Sequence, residues 1–261
     1  MVTIVGEAHV RASADGLEIN GVVPGTTVAP GSPEEIAAVL RFANARDLVV
    51  APAGGSTQQD IGGVPERIDI LLSTARLNGI EHYDPGDLTV GINAGTPFAD
   101  VQQKLAEHEQ WLPFDAANLG QATIGGLLAT GASGPLKSAF GGMRDYCIGV
   151  QFATADGKIA KGGGRVVKNV AGYDLMKLMA GSYGSLGVIT RANFKVFPRP
   201  RQTRTFVCAY GSLEEALEFR GRVFRSPLTP LCLEIISPRA PEYLCDPPQV
   251  RDADSYVPAQ P

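Results

Sequence analysis

The sequence predicts an α+β fold, and three observations carry that expectation. Apolar runs of strand length alternate with amphipathic helical periods over residues 28–115. From residue 119 the texture changes to glycine-rich loops joined by alternating, hairpin-like runs. Further on, one more helical period stands between two short apolar runs, before a proline-rich tail. The expected organisation is a first domain over 1–200, with subdomains at about 28–115 and 116–200. A small α+β segment follows over 201–238, then a flexible tail over 239–261.

Each element has its own signal. In "PGSPEEIAAVLRFANAR" Ser32 is an N-cap, Pro33 suits the first helical position and Glu35 completes a capping box. Ile36, Val39, Leu40 and Ala43 then share one face. "LVVAP" (48–52) reads as a short buried strand. "IDILLS" (68–73) and "LTVGINAG" (88–95) are further strands, with the turn chemistry of "DPGD" between them. Thr96 and Pro97 start a helix through "FADVQQKLAEHEQ", with Phe98, Val101 and Leu105 inward. "LGQATIGGLLATGASGPLKSAFGGMRD" (119–145) has few strong helix formers and reads as glycine-rich loop. "YCIGVQFATADGKIAKGG" (146–163) is a hairpin around a two-residue Asp156-Gly157 turn. A short helix in "VAGYDLMKLMAGSYG" stops at Gly181, and "LGVITRANFKVFP" is a strand closed by Pro198 and Pro200. "TFVCAYGSLEEALEFRGRVF" reads as strand then helix with a second capping box at Ser212 and Glu215, and "LCLEIIS" as a last strand.

Composition narrows the function classes. A net charge of −4 without a basic block gives no electrostatic footing for nucleic acid. No apolar run reaches the roughly 18 residues that span a membrane, and the N-terminus lacks the pattern of a signal peptide. A cytoplasmic protein is expected. Cys147, Cys208, Cys232 and Cys245 are scattered without a CxxC, so neither disulfide nor metal is expected. His9, His82 and His108 share no ligand spacing and read as surface or packing residues. Glycine is abundant, 31 of 261 residues, and without a collagen-like period it serves turns and close backbone approach.

That glycine usage points to anion binding. The sequence holds no GxxxxGK[ST], no GxGxxG between strand and helix, and no GxSxG. It holds three separated loops at strand exits, "PAGGST" (52–57), "ATIGGLLATGASGP" (122–135) and "GSYGSLGVI" (181–189). Successive backbone N–H groups in glycine turns form concave anion sites. Hydroxyls of Ser56, Thr57, Thr123, Thr130 and Ser133 add donors. Each loop alone also reads as a plain turn. Together they suit the pyrophosphate of a long, flat cofactor.

Taken in order, "PEEIAAVLRFA", "PAGGST", "TVGINAGTPFADVQQKL", "ATIGGLLATGASGP", "RDYCIGVQFATADGKI" and "SYGSLGVIT" resemble the FAD-binding domain of the vanillyl-alcohol oxidase (PCMH-type) flavoprotein superfamily. The run 163–198, "GGRVVKNVAGYDLMKLMAGSYGSLGVITRANFKVFP", is similar to the FAD-binding subunits of bacterial glycolate oxidases. The resemblance implies a PCMH-type FAD-binding domain of two α/β subdomains, followed by a truncated, cap-like α+β segment.

It also implies residue roles. Backbone amides of Ala53, Gly54, Gly55, Ser56 and Thr57 hold the pyrophosphate. Thr123, Gly125, Gly126, Thr130, Ser133 and Gly134 line the dinucleotide and ribityl path. Gly187, Val188 and Ile189 lie along the flavin ring edge or the adenine side. Arg144 lies near the cofactor's charge, or forms a loop-fixing ion pair with Asp145. Lys168, Asn169, Tyr173 and Asp174 face the isoalloxazine or a partner subunit, or simply start an exposed helix. Covalent relatives carry His where Ser56 stands and Cys where Gln121 stands, so noncovalent FAD is expected. No metal is implied, and no catalytic residue is assigned.

The function implied is a FAD-binding oxidoreductase subunit oxidising a 2-hydroxy acid, glycolate to glyoxylate or D-lactate, in a complex with a second flavoprotein subunit and an iron–sulfur subunit. Such a complex is cytoplasmic or peripheral to the inner membrane. The alternatives are a non-catalytic FAD-holding assembly subunit whose partner performs the oxidation, and a stand-alone dehydrogenase completed by a homodimer. No His follows His108, and the cap is short, which favours a partner-supplied base.

Overall fold

The structure, a computed structural model, describes residues 1–12, 18–165 and 172–237. The chain divides into two compact units. One is Met1–Gly134 with Gly141–Arg199, the other Pro135–Phe140 with the chain from Pro200 onward.

In chain order the first unit begins with α1 (Val2–Val5), β1 (Val10–Ala12), β2 (Thr26–Val28), α2 (Pro33–Asn44), β3 (Val50–Ala53) and β4 (Ile70–Ser73). The four strands form a sheet in the order β1-β2-β4-β3, parallel except for the β1–β2 pair. The crossover helix α2 makes the parallel pairing possible. It starts as its cap chemistry dictates, with Ser32 Oγ accepting from the Glu35 N–H at 3.1 Å. The Glu35 carboxylate reaches one residue further back than a capping box requires and accepts from the Gly31 N–H at 2.7 Å. Ile36, Val39, Leu40 and Ala43 are all buried, packed with Val28, Ile70 and Leu72 of the sheet. The buried strand is β4. The expected strand at 48–52 starts two residues later, as β3, and is only half-buried because it lies at the sheet edge.

The unit continues with β5 (Ile80–Asp84), β6 (Thr89–Asn93), α3 (Phe98–Ala106), β7 (Gln110–Trp111) and α4 (Ile124–Thr130). After α5 (Lys137–Phe140), which belongs to the second unit, come α6 (Met143–Tyr146), β8 (Cys147–Ala153), β9 (Ile159–Gly163), α7 (Leu175–Met179), β10 (Val188–Lys195) and β11 (Phe197–Pro198). Strands β5-β6-β10-β8-β9 form an antiparallel sheet. Val90, Ile92, Val150, Phe152, Ala192 and Phe194 of this sheet share one core with α3 and α4.

Elements α1, β1, β2 and α6 were not expected from the sequence, and three further departures have a clear physical reason. Strand β5 was hidden because "IEHYD" shows no clean alternation. It forms because Asp84 Oδ1 accepts from the N–H groups of Gly86 (2.9 Å) and Asp87 (3.0 Å), turning the chain back onto β6. The β8–β9 hairpin does not close through a two-residue turn. Thr154 N–H donates to the Lys158 carbonyl at 2.9 Å, so the loop holds three residues, ending on Gly157 at φ +74°. Helix α4 occupies part of the stretch read as loop. Thr123 Oγ1 accepts from the Gly126 N–H at 3.4 Å, and Gly131, at φ +62°, ends the helix. Burying Ile124, Leu127 and Leu128 outweighs about 1 kcal/mol of propensity lost at each helical glycine.

In the second unit, α8 (Leu213–Phe224) is capped by Ser212 Oγ, which accepts from the Glu215 N–H at 3.2 Å. The strands expected at 205–210 and 231–237 do not form among the described residues, apart from a bridge position at Val207. Phe206 and Ile236 remain exposed, so no buried face holds these runs in a ladder. No helix among the described residues is long and apolar enough to cross a membrane.

Candidate cofactor-binding cleft

Strand β3 ends where the Ala53 carbonyl accepts from Thr74 N–H at 2.8 Å. The next four residues leave the sheet. Among the described residues, the N–H groups of Gly54, Gly55, Ser56 and Thr57 donate to no protein acceptor. Backbone donors left unpaired in succession are the raw material of an anion site. Ser56 takes φ +54°, a left-handed backbone that costs a serine about 1 kcal/mol, and it holds the loop in this open form.

The two glycines have a further duty. A Cβ on Gly54 would collide with Thr123 Oγ1, and one on Gly55 with the Gln121 carbonyl. The loop is thus pressed against the entry to α4, and bare backbone is required by this packing as much as by any ligand.

Helix α4 forms the second wall, but not through free amides. Ile124 N–H donates to the Thr96 carbonyl (3.0 Å) and Gly125 N–H to the Ala94 carbonyl (2.7 Å). Gly125 lies so close to Ala94 that a Cβ there would sit 2.7 Å from the alanine methyl. This loop therefore does not supply the backbone anion nest that its glycines led us to expect; it offers small, close-packed surface and hydroxyls. Thr130 Oγ1 donates to the Gly126 carbonyl at 2.9 Å, leaving its lone pairs for another donor.

The third wall is the loop from 181 to 187. Gly181 N–H donates to the Leu128 carbonyl (3.1 Å) and Tyr183 N–H to the Ala129 carbonyl (2.8 Å), pinning the loop to the end of α4. Gly184, at φ +77°, sits over the Pro52 ring.

These walls enclose a cleft of about 110 Å³. It brings together Ala53, Gly54, Gly55, Ser56, Thr57, Thr123, Gly125, Gly126, Thr130, Gly187, Val188 and Ile189. It does not include Ser133 or Gly134. The chain turns away after Gly131, leaving Ser133 exposed, while Gly134 packs against Asp115. Sequence reasoning passed over Gln58, Gln59, Thr74, Ala94, Leu127, Tyr183 and Gly184, which also line the cleft. For Gln58 and Tyr183 the signal was present, since both belong to or follow a quoted loop. Thr74 and Ala94 come from elsewhere in the sheets and carry no local mark. A wider basin of about 540 Å³ shares Ser56, Thr57 and Gln59, and adds Asn20, Asn118, Gln121, Glu18 and Asp60.

The remaining candidates lie elsewhere. Asp145 Oδ2 accepts from the Gly142 N–H at 2.8 Å, so it caps α6, while the Arg144 side chain is exposed. Neither lines the cleft. Tyr173 is exposed, and Asp174 pairs with Lys177 at 2.6 Å. Lys168 and Asn169 fall outside the described residues. His82 packs over Gly91 on β6. Burial, then the Arg165 charge, pushes its pKa below the ordinary value. Burial pushes the Cys147 thiol up to about 12, so it is no nucleophile. Among the described residues the cleft lining carries no Lys or Arg. Its match to an anion rests on N–H dipoles and hydroxyls, a donor set suited to a diphosphate within a nucleotide.

The chain is similar to known proteins. The family described as FAD binding domain matches residues 24–163. A D-lactate dehydrogenase of Archaeoglobus fulgidus is 34% identical over 215 residues, 82% of this chain and 48% of that protein. Glycolate oxidase subunit GlcE of Escherichia coli is 39% identical over 158 residues, 59% of this chain and 45% of that one. A D-2-hydroxyglutarate dehydrogenase of Xanthomonas citri is 33% identical over 82% of this chain and 45% of its own length. Among solved structures, an alkyldihydroxyacetonephosphate synthase superposes with a TM-score of 0.62 at 23% identity, over 75% of this chain and 39% of that one, a likeness of fold. The chain spans about half the length of the curated relatives it matches.

Proposed function

Because the chain belongs to the FAD binding domain family, with FAD as its cofactor, we propose that it forms the FAD-holding part of an oxidoreductase acting on 2-hydroxy acids. The observation that carries this reading is the run of four N–H groups at Gly54–Thr57 that donate to no protein acceptor among the described residues, on a loop that lines a cleft walled by α4 and the 181–187 loop. Those amides hold the diphosphate. Thr123 and Thr130 lie along the nucleotide, and Gly187, Val188 and Ile189 close the far side. Ser56 and Gln121 are poor nucleophiles, so attachment is noncovalent. Bound FAD supplies a two-electron acceptor for oxidation of the substrate carbon.

Three of the similar proteins are named for D-lactate, D-2-hydroxyglutarate and glycolate, all 2-hydroxy acids. Glycolate and D-lactate are accordingly the proposed substrates. The chain works in a complex like that of glycolate oxidase, beside a second flavoprotein subunit and an iron–sulfur subunit, in the cytoplasm or against the inner membrane.

A second reading has an observation of its own. Among the described residues the cleft lining holds no His, Lys or Arg. A clamp for the substrate carboxylate and a base for its hydroxyl must then come from outside that lining. In this reading the chain holds FAD and a partner performs the oxidation.

The visible spectrum decides. The purified chain is expected to carry the flavin band. Anaerobic bleaching by glycolate or D-lactate with this chain alone supports the first reading, and bleaching only after partner subunits are added supports the second. A colourless chain that takes up no FAD overturns both.

A further inference from the structure

Resting on the reading that the cleft holds FAD, we infer that Tyr183 and Gln58 form the recognition site for the adenine base. Tyr183 takes φ +50°, a conformation that bulky L-residues rarely adopt. It is kept there by its N–H bond to the Ala129 carbonyl and by its neighbour Gly184, seated over Pro52. The strain secures no core packing, since the residue is 50% exposed although it lines the cleft. A backbone held against its preference at a half-exposed residue that lines a cavity marks a surface meant for a ligand.

Gln58 supplies the complement. It follows directly on the amide loop and lines the same cleft. Its side-chain oxygen is buried and has no hydrogen-bond donor among the described residues. Buried acceptors are nearly always satisfied, so this one calls for a donor from a bound molecule. A planar wall plus a carboxamide acceptor, next to a diphosphate site, is the chemistry that reads a 6-aminopurine. The base stacks on the tyrosine, and its exocyclic amine donates to the carboxamide oxygen.

The test titrates the full chain, freed of flavin, with FAD, FMN and ADP by calorimetry. Tyr183→Asn is the informative variant, because asparagine tolerates the left-handed backbone. It should weaken FAD and ADP about tenfold, the size of one lost base stack. FMN affinity should hold, and the unfolding midpoint of the flavin-free chain should rise. Tyr183→Phe should bind like the parent. Gln58→Leu should weaken FAD and ADP but not FMN, and it asks the same question from the other wall should Tyr183→Asn fail to fold. Unchanged FAD and ADP affinity in both Tyr183→Asn and Gln58→Leu, or FMN weakened as much as FAD, overturns the assignment while leaving FAD binding intact. A parent chain that binds no FAD overturns it together with the proposed function.

Discussion

His82 shows how a sheet face fixes a titration. The ring lies over the Gly91 backbone, where burial and the charges of Arg165 and Arg191 disfavour protonation more than Glu81 and Asp84 favour it. The folded chain therefore prefers the neutral ring. Around the ordinary value of 6.5 the unfolded chain binds more protons, so stability falls as pH drops through that value. The expected outcome is an unfolding midpoint that declines on acidification, with a smaller decline in His82→Gln. Thermal denaturation of both proteins across that range checks it. Cys147 gives a second outcome at this scale. Its buried thiol should resist iodoacetamide in the native state, while the exposed Cys208 and Cys232 react. Peptide mass mapping reads the difference.

Among elements, the loop after β3 is the most exacting. Gly55→Ala drives a methyl into the Gln121 carbonyl, and Gly54→Val drives a larger group into Thr123. Each should cost about 1–3 kcal/mol of stability and most of the bound flavin, measured as unfolding midpoint and visible band per mole of protein. A variant purified with full flavin would contradict the assignment of this loop. The same element shows what a sequence discloses. Two glycines and two hydroxyls after an apolar run were legible as an anion loop, because the chemistry lies in consecutive residues. Helix α2 was legible for a similar reason, since Ser32, Pro33 and its apolar face are local signals. Helix α4 was not, because its stability comes from burying Ile124, Leu127 and Leu128 against distant strands. The Asp156-Gly157 pair fits both a two-residue turn and a longer loop, and only the pairing of Ala153 with Ile159 selects the longer one. Ser133 and Gly134 matched the composition of the site, but the turn at Gly131 carries them out of it.

Across the whole molecule, the cleft depends on two sheets meeting. Helix α2 belongs to the first, yet it packs on Ala153 and Val188 of the second, and Arg41 Nη2 donates to the Gly157 carbonyl at 2.8 Å. Every described lining residue of the cleft, Pro52 to Ile189, belongs to the first unit. A chain ending at Arg199 is therefore expected to keep its flavin, which gel filtration followed by a visible spectrum tests. Loss of the band there would mean that the second unit contributes to retention.

Most of the glycines and small residues around the cleft are wedged against another stretch of the same chain, whereas Tyr183 is half-exposed and the Gln58 side-chain oxygen has no hydrogen-bond partner among the described residues. Evolution consequently has little room to retune cofactor preference without unsettling the scaffold. Drift among homologues should concentrate at those two places, and a library randomised there should yield altered nucleotide selectivity in proteins that still express well.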